Sequence, residues 1–333
     1  MHYATDPHHR RNTAALVVGV LALGALVLKA SRHRTQRPSP ASLPPALDAD
    51  VHAMATMEGQ ARYYQRPGTG TPVVLLHSIN AAGSSFEMKP LFDHLAATTR
   101  RPLYALDWLG FGLSDRPEVP YRPGLYQRQL RRFLSEHVGG PADLVALSLG
   151  CEYAAAVADV FPALVRRQVF VMPTALAADD EGSFLQRAAI GLLSGLGLFE
   201  IAFRRLTQKQ TLRAFYARQV FPEGYAVPDA LVDYAHRTTQ AEGASNAPRR
   251  FIEGRLFTRE AARDRYRRLR APTLFLVPQD AGSKVQSFER LTEVVAAGAE
   301  GIQVRRLSTG LLPQWETGDA FFEVLDAFLE PAS

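Results

Sequence analysis

Ala142-Asp-Leu-Val-Ala-Leu-Ser-Leu-Gly-Cys151 is the stretch on which the fold turns. Leu144–Leu147 is a short apolar run of strand character. It breaks at Ser148, and small residues follow at helical spacing: Cys151, Ala154, Ala155, Ala156 and Ala158. Strand, single serine, helix is the pattern of a nucleophile elbow, a sharp turn that pushes one hydroxyl out at the C-terminal edge of a sheet. Such a turn needs small residues two places before and two after the serine, so that strand and helix can pass closely. Ala146 and Gly150 fill those places, giving A-x-S-x-G. A serine beside a glycine in an ordinary loop gives the same five residues, so the surrounding sequence decides between the readings.

Outward from the elbow, strands and helices alternate. A strand pair is expected around Met57 to Arg66, closed by Pro67-Gly68. Thr71-Pro-Val-Val-Leu-Leu-His77 is a continuous apolar run, as a parallel strand covered on both faces requires. A small-residue loop (Ser78 to Ser85), a helix from about Phe86 to Ala97 and a strand at Leu103–Leu106 follow. After Asp107 comes the Gly-rich turn Trp108-Leu-Gly-Phe-Gly-Leu-Ser-Asp-Arg-Pro117, and then a helix at about Leu125–His137. Beyond the elbow, Gln168–Met172, Pro272–Val277 and Ile302–Leu307 read as further strands. The alternation predicts an α/β fold with a doubly wound, mostly parallel sheet, whose chemistry lies outside the C-terminal ends of the strands. Residues from about 175 to 263 interrupt the alternation and read as helices.

Three motifs in this order and spacing carry a resemblance: Leu-Leu-His77-Ser78-Ile79, Asp107-Trp-Leu-Gly110-Phe-Gly112-Leu-Ser-Asp115-Arg-Pro117, and Ala-Leu-Ser148-Leu-Gly150. Over about residues 55 to 331 the chain resembles the α/β-hydrolase superfamily, in the branch of esterases, C–C hydrolases, haloalkane dehalogenases and epoxide hydrolases. Dehalogenases and epoxide hydrolases use an aspartate nucleophile, so a serine points to ester-like or C–C bond chemistry. The resemblance implies that Ser148 attacks a carbonyl carbon while the backbone N–H groups of Leu149 and Ile79 hold the oxyanion. It makes residues 175–263, after the sixth strand, a helical cap. Leu192, Leu193, Leu196, Leu198 and Phe199 then read first as cap core, with an acyl or alkyl pocket and a second membrane contact as the other readings.

The triad acid of the resembling family follows the strand Pro272–Val277. Asp280 is the only acid in that loop, one place early for the template, with Asp179, Asp180 and Glu181 as weaker alternatives. After Ile302–Leu307 the family carries G-H-x-P, whose histidine takes the serine's proton. Here the sequence is Gly310-Leu311-Leu312-Pro313-Gln314, with Leu311 in the histidine's place and Gln314 at a second place where relatives often carry one. No histidine follows His236, which leaves His236 on the cap and His77 near the elbow as surrogate bases. His77 and Asp107 otherwise read as residues that shape their loops. The expected function is a serine hydrolase acting on an ester-like or other small apolar carbonyl substrate. The alternative is an impaired relative that binds a small apolar ligand or a protein partner.

Composition bounds the rest. With 333 residues, 47% of them hydrophobic, the chain can bury a full core. The net charge is +5, but the arginine-rich stretch 249–270 lacks the interleaved aromatics or motif of a nucleic-acid site and reads as solvated helix faces. No cofactor loop or metal spacing occurs: Gly110-Phe-Gly112 lacks the third glycine of a dinucleotide site, and the histidines are scattered. The single cysteine, Cys151, excludes an intramolecular disulfide and reads as small-residue packing. Thr13–Leu28 is uncharged and apolar, roughly 24 Å long as a helix. Lys29, Arg32, Arg34 and Arg37 follow with no tidy cleavage site, so an uncleaved anchor (residues 1–34) is favoured over a cleaved signal peptide. Their excess over the upstream basic residues places the main domain on the cytoplasmic side, whereas signal cleavage would make it secreted or periplasmic. A Pro-rich linker (35–50) is expected to lift the hydrolase-like domain (51–333) off the membrane.

Overall fold

The central strands, Val73–Leu76, Leu103–Asp107 and Ala142–Leu147, need no solvated face, because apart from Asp107 and Asp143 they are apolar. In the computed structural model, which describes residues 37–176, 198–279, 288, 290–296, 301–316 and 318–330, Val73–Leu76 and Ala142–Leu147 are buried at every position. Eight strands form one sheet: β1 Asp50–Ala55, β2 Gln60–Arg66, β3 Val73–Leu76, β4 Leu103–Asp107, β5 Ala142–Leu147, β6 Val165–Val171, β7 Thr273–Pro278 and β8 Ile302–Leu307. Their order is β1-β2-β4-β3-β5-β6-β7-β8. The β1–β2 and β2–β4 pairs are antiparallel and the others parallel. The predicted mostly parallel sheet is therefore present. Its first hairpin starts earlier than the sequence suggested, at Asp50, with Thr56 Oγ1 accepting the N–H groups of Glu58 and Gly59 in the turn.

Helices cover the sheet in two packing groups. On one side α1 (Lys89–Thr98) packs with α10 (Pro313–Glu316) and α11 (Gly318–Leu329). On the other, α2 (Pro123–Phe133) packs on α3 (Gly150–Val160), and α3 packs on α8 (Glu260–Tyr266), which touches α9 (Leu291–Ala296). Between β6 and α8 the described chain forms α4 (Phe199–Leu206), α5 (Lys209–Phe215), α6 (Asp229–Gln240) and α7 (Asn246–Ile252). These are the helices expected of a cap. Because α8 rests on α3, the insertion ends before Glu260 rather than at 263.

The expected spacer is not one over its second half. Leu43, Ala46 and Leu47 are buried in the main core, the Ala46 N–H donates to Tyr64 Oη at 2.9 Å, and Tyr234 Oη of α6 donates to Pro44 O at 2.9 Å. Residues 43–47 thus form a strap that joins the sheet to the insertion. Proline suppressed any periodicity here, and burial was decided by tertiary contact. The expected anchor, Thr13–Leu28, lies outside the described residues. Among the described residues no helix is long and apolar enough to cross a membrane.

One buried charge cluster holds the N-terminal edge of β5. Asp143 is fully buried and is gripped by Arg101 and by Arg166, whose Nε lies 2.8 Å from Oδ1. Removing the carboxylate strands two guanidinium groups. Asp143→Ala is therefore expected to lower unfolding stability by about 3 kcal/mol, the lower end of the range for a broken buried pair because Arg166 is partly exposed. Urea denaturation of the variant beside the wild type checks this.

Candidate active site

Parallel register brings two turns side by side. Leu76 of β3 pairs with Ala146 of β5, so the residues just beyond, His77–Ile79 and Leu147–Leu149, leave the same edge of the sheet. Ser148 sits at φ 54°, in the left-handed region that a residue with a Cβ avoids. Sheet and helix hold it there: its N–H donates to Val171 O at 2.9 Å, and its carbonyl accepts the Cys151 N–H at 3.1 Å. A Cβ at Gly150 would lie 3.1 Å from His77 O, which explains why the turn needs a glycine at this place. The strained serine of an elbow is present. Its side chain is half-buried, and no described residue hydrogen-bonds its Oγ.

The amides of Ile79 and Leu149 are both buried, and neither donates to a described residue. They belong to the two loops that leave the same sheet edge as Ser148. The loop that carries Ile79 is fixed by a buried carboxylate. Glu87 accepts the Ser78 N–H at 2.9 Å, the Ser78 hydroxyl at 3.0 Å and Asn80 Nδ2 at 2.8 Å. Ser78, which replaces the usual glycine, therefore spends its hydroxyl on Glu87 instead of offering a donor to a ligand. Sequence reasoning missed Glu87; its only signal was a carboxylate in an otherwise buried short helix.

Asp107 is the turn residue that its position suggested. Its carboxylate accepts the N–H groups of Ser85 at 2.9 Å and Leu113 at 2.8 Å. Gly112, at φ 52°, lies so close that a Cβ would meet this carboxylate at 2.1 Å.

His77 is corrected as a surrogate base. Its Nε2 accepts the Trp108 N–H at 3.2 Å, and its Nδ1 lies 2.6 Å from Ser78 O, so the proton sits on Nδ1 and both nitrogens are occupied. Complete burial holds its pKa below the ordinary 6.5, despite the nearby Asp107 and Glu87. His236 is half-buried on α6, with Nδ1 2.8 Å from Thr207 O; its described polar partners, Thr207 and Gln240, both belong to the insertion. Neither imidazole is brought to Ser148 Oγ by a hydrogen bond. Asp280, the expected acid, lies outside the described residues, as do Asp179, Asp180, Glu181, Leu192, Leu193 and Leu196. Phe199 is described, and it packs with Phe203 and Ala244 against Ala81, in the loop that follows β3, as cap core.

Leu311 stands in the loop beyond β8, at the same sheet edge as Ser148, and its N–H donates to Val220 O of the insertion at 2.7 Å. Gln314 is buried and donates Nε2 to Glu87 O at 2.9 Å, beside Trp315 Nε1 at 2.8 Å on the same oxygen. Its Oε1 has no partner. Cys151 is fully buried against Ala146 O, and burial pushes its thiol well above the ordinary range, so it is inert packing. Among the described residues no group of three or more His, Cys, Asp or Glu could hold a metal.

A second buried carboxylate, also unseen in the sequence, ties the insertion to the elbow helix. Glu152 of α3 accepts Thr174 Oγ1 at 2.5 Å on one stalk of the insertion, and the Thr258 N–H at 2.6 Å and hydroxyl at 2.7 Å on the other. Met172, Ala175 and Arg259, on the same two stalks, all have positive φ.

A sequence model described as the alpha/beta hydrolase family matches residues 73–324. Uncharacterised proteins of Mycobacterium bovis and Mycobacterium tuberculosis are 29% identical over 148 residues, 44% of this chain and 41% of theirs. The 2-(acetamidomethylene)succinate hydrolase of Mesorhizobium japonicum is 33% identical over 104 residues, 31% of this chain and 36% of its own. The aligned part thus spans about two fifths of the length of these relatives. The enol-lactonase of Burkholderia xenovorans superposes with a TM-score of 0.65 at 16% identity, covering 84% of this chain and 99% of that one, a likeness of fold.

Two outcomes follow from the geometry. His77 is neutral when folded and titrates near pH 6.5 when unfolded, so its contribution to stability is full above about pH 6.5 and is lost as pH falls below it. Unfolding free energy measured between about pH 7 and about pH 5 should therefore fall more steeply for the wild type than for His77→Gln, by up to about 1.4 kcal/mol per pH unit; equal slopes would contradict a buried neutral imidazole. Glu152→Ala leaves the Thr174 hydroxyl, the Thr258 N–H and hydroxyl and the Arg259 backbone donor without an acceptor. It should cost about 1–3 kcal/mol and speed hydrogen exchange at residues 173–176 and 256–260 before it does so in β5.

Proposed function

The chain belongs to the alpha/beta hydrolase family, and from that premise we propose that it is a hydrolase acting through Ser148 on an ester-like or other small apolar carbonyl compound, with slow turnover. The observation that carries this reading is the φ of 54° at Ser148 beside the free N–H groups of Leu149 and Ile79. A turn that serves only as a turn has no need of that strain. In the proposed reaction Ser148 Oγ adds to the carbonyl carbon, the two amides hold the resulting oxyanion, and collapse expels the leaving group to give an acyl-serine that water hydrolyses.

The slow turnover comes from proton transfer. With Leu311 at the position of the family's base, the serine's proton must pass to water or to the leaving group. An oxyanion hole and binding site without a complete triad still give roughly 10³–10⁴-fold acceleration over water. Asp280 is proposed as the remaining acid, now without an imidazole to orient. Residues 1–34 are proposed as a membrane anchor that tethers the domain on the cytoplasmic side, and the helical insertion as the cap that selects substrate. A second reading, a binding protein that uses the same pocket for an apolar ligand, is favoured by one fact: Ser148 Oγ has no hydrogen-bond partner among the described residues.

The test is fluorophosphonate labelling of the full chain beside Ser148→Ala and Leu311→His. The expected result is slow labelling of the wild type that rises with pH without an imidazole inflection, no labelling of Ser148→Ala, and a rate about 10²-fold higher in Leu311→His, the usual worth of a positioned general base. A folded wild type and a folded Leu311→His that both stay unlabelled would sink the hydrolase reading and leave the binding one.

A further inference from the structure

Residues 204–218, Arg-Arg-Leu-Thr-Gln-Lys-Gln-Thr-Leu-Arg-Ala-Phe-Tyr-Ala-Arg, hold five cations and no carboxylate. They run from the end of α4 through α5 into the turn of π-helix Tyr216–Val220. Burial divides them cleanly. Thr207, Leu212 and Tyr216 point inward, while the arginines and Lys209 are exposed. Among the exposed residues are two large apolar side chains, Leu206 at 56% and Phe215 at 44% exposure. They are the large apolar side chains that the described part of the insertion leaves exposed.

The charges narrow what would cover these side chains. Arg204 reaches Glu200, Lys209 pairs with Asp233 at 2.7 Å, and Arg213 pairs with Asp229. Arg205 and Arg218 have no carboxylate partner among the described residues. A helical segment that exposes two large apolar side chains together with two cations lacking a carboxylate partner fits the headgroup region of an anionic bilayer, where the cations meet phosphate and the apolar groups enter the interface.

The path of the chain points the same way. The first described residue, Arg37, is ion-paired with Glu200 of α4, and Pro38 O accepts the Glu242 N–H at 3.0 Å. Glu200 and Leu206 are only about 9 Å apart along one helix, at about 1.5 Å per residue. The residues between Leu28 and Arg37 include Lys29, Arg32 and Arg34, and the chain from Leu28 to Arg37 can reach at most roughly 32 Å. An apolar run inserted at Thr13–Leu28 therefore keeps this one face of the insertion close to lipid.

We infer that the α4–α5 face docks on the surface of an anionic bilayer through Leu206, Phe215 and the unpaired Arg205 and Arg218. The inference rests on the membrane tether proposed above. It turns the helical insertion, rather than the opposite edge of the sheet, toward lipid.

Full-length protein carrying Phe215→Cys, labelled with a polarity-sensitive fluorophore, tests it. Labelling is specific because Cys151 is fully buried. Vesicles of phosphatidylcholine, with and without phosphatidylserine, are the probe, and Val160→Cys, at the far end of α3, is the control position. The expected result is a blue shift at position 215 only with phosphatidylserine, reduced by salt and absent at position 160. Arg205→Gln and Arg218→Gln should each lower the docked-to-undocked ratio about fivefold. Co-flotation with vesicles but an aqueous signal at position 215 overturns docking while leaving the tether intact. Loss of co-flotation itself overturns the tether and docking together. A blue shift without vesicles that grows with protein concentration assigns the face to a second copy of the chain and overturns the lipid assignment.

Discussion

The strained backbone of Ser148 is the constraint around which the fold is arranged. A left-handed residue with a Cβ costs about 1–2 kcal/mol, and it persists only where its neighbours leave no alternative. Here β6 takes its N–H, α3 takes its carbonyl, and Gly150 lets the helix pass His77 O at close range. Each of these depends on β5 lying between β3 and β6. The elbow is a property of the sheet, not of five residues. Strain also gathers at Met172, Ala175 and Arg259, the other non-glycine residues with positive φ among those described. All three lie where the insertion leaves or rejoins the sheet, so distortion is confined to the edge at which a ligand would arrive.

Buried carboxylates hold that edge together, each in the same manner. Asp107 fixes the Gly-rich turn, Glu87 the oxyanion loop and Glu152 the two stalks of the insertion, in each case by accepting backbone N–H groups. A charge taken out of water is costly unless fully hydrogen-bonded, and a loop supplies just such spare amides. For Glu152 burial still outweighs its donors and raises its pKa. The loops gain order without regular secondary structure, which keeps the amides of Ile79 and Leu149 free while their neighbours are bound.

What could be read in the sequence follows from the range of each interaction. The parallel strands declared themselves because burial on both faces writes an unbroken apolar run, and the elbow because its steric demands fall on adjacent positions. Asp107 was legible in part for the same reason, since Leu113 of its own turn lies six residues on, although Ser85 reaches it across 22 positions. Glu152 was not, since its worth depends on a donor that the fold alone brings near, Thr258 reaching it across 106 positions. Glu87 has near donors, Ser78 and Asn80, but nothing in the sequence marks its carboxylate as buried among them. Leu43, Ala46 and Leu47 were hidden by prolines that erase periodicity, although proline-rich chain packs as readily as any other when a groove awaits it. The state of His77 was equally invisible: a histidine beside a nucleophile suggests a base until its two nitrogens are seen to serve Trp108 and Ser78.

That state of His77 bears on how a site of this kind can work. An imidazole acts as a base only if one nitrogen faces the proton and the ring can accept charge. His77 meets neither condition, being enclosed and bound at both nitrogens, and its burial opposes protonation. Gln314 cannot act in its place, since an amide does not take up a proton near neutral pH, and its Nε2 is committed to Glu87 O. In the proposed reaction the half-buried Ser148 and the amides of Ile79 and Leu149 would act on charge at the carbonyl oxygen rather than on the proton of the attacking hydroxyl. They favour a tetrahedral adduct once it forms and do little to start it. Compounds whose own leaving group or acidity supplies the missing proton transfer are therefore the ones on which such a site gains most.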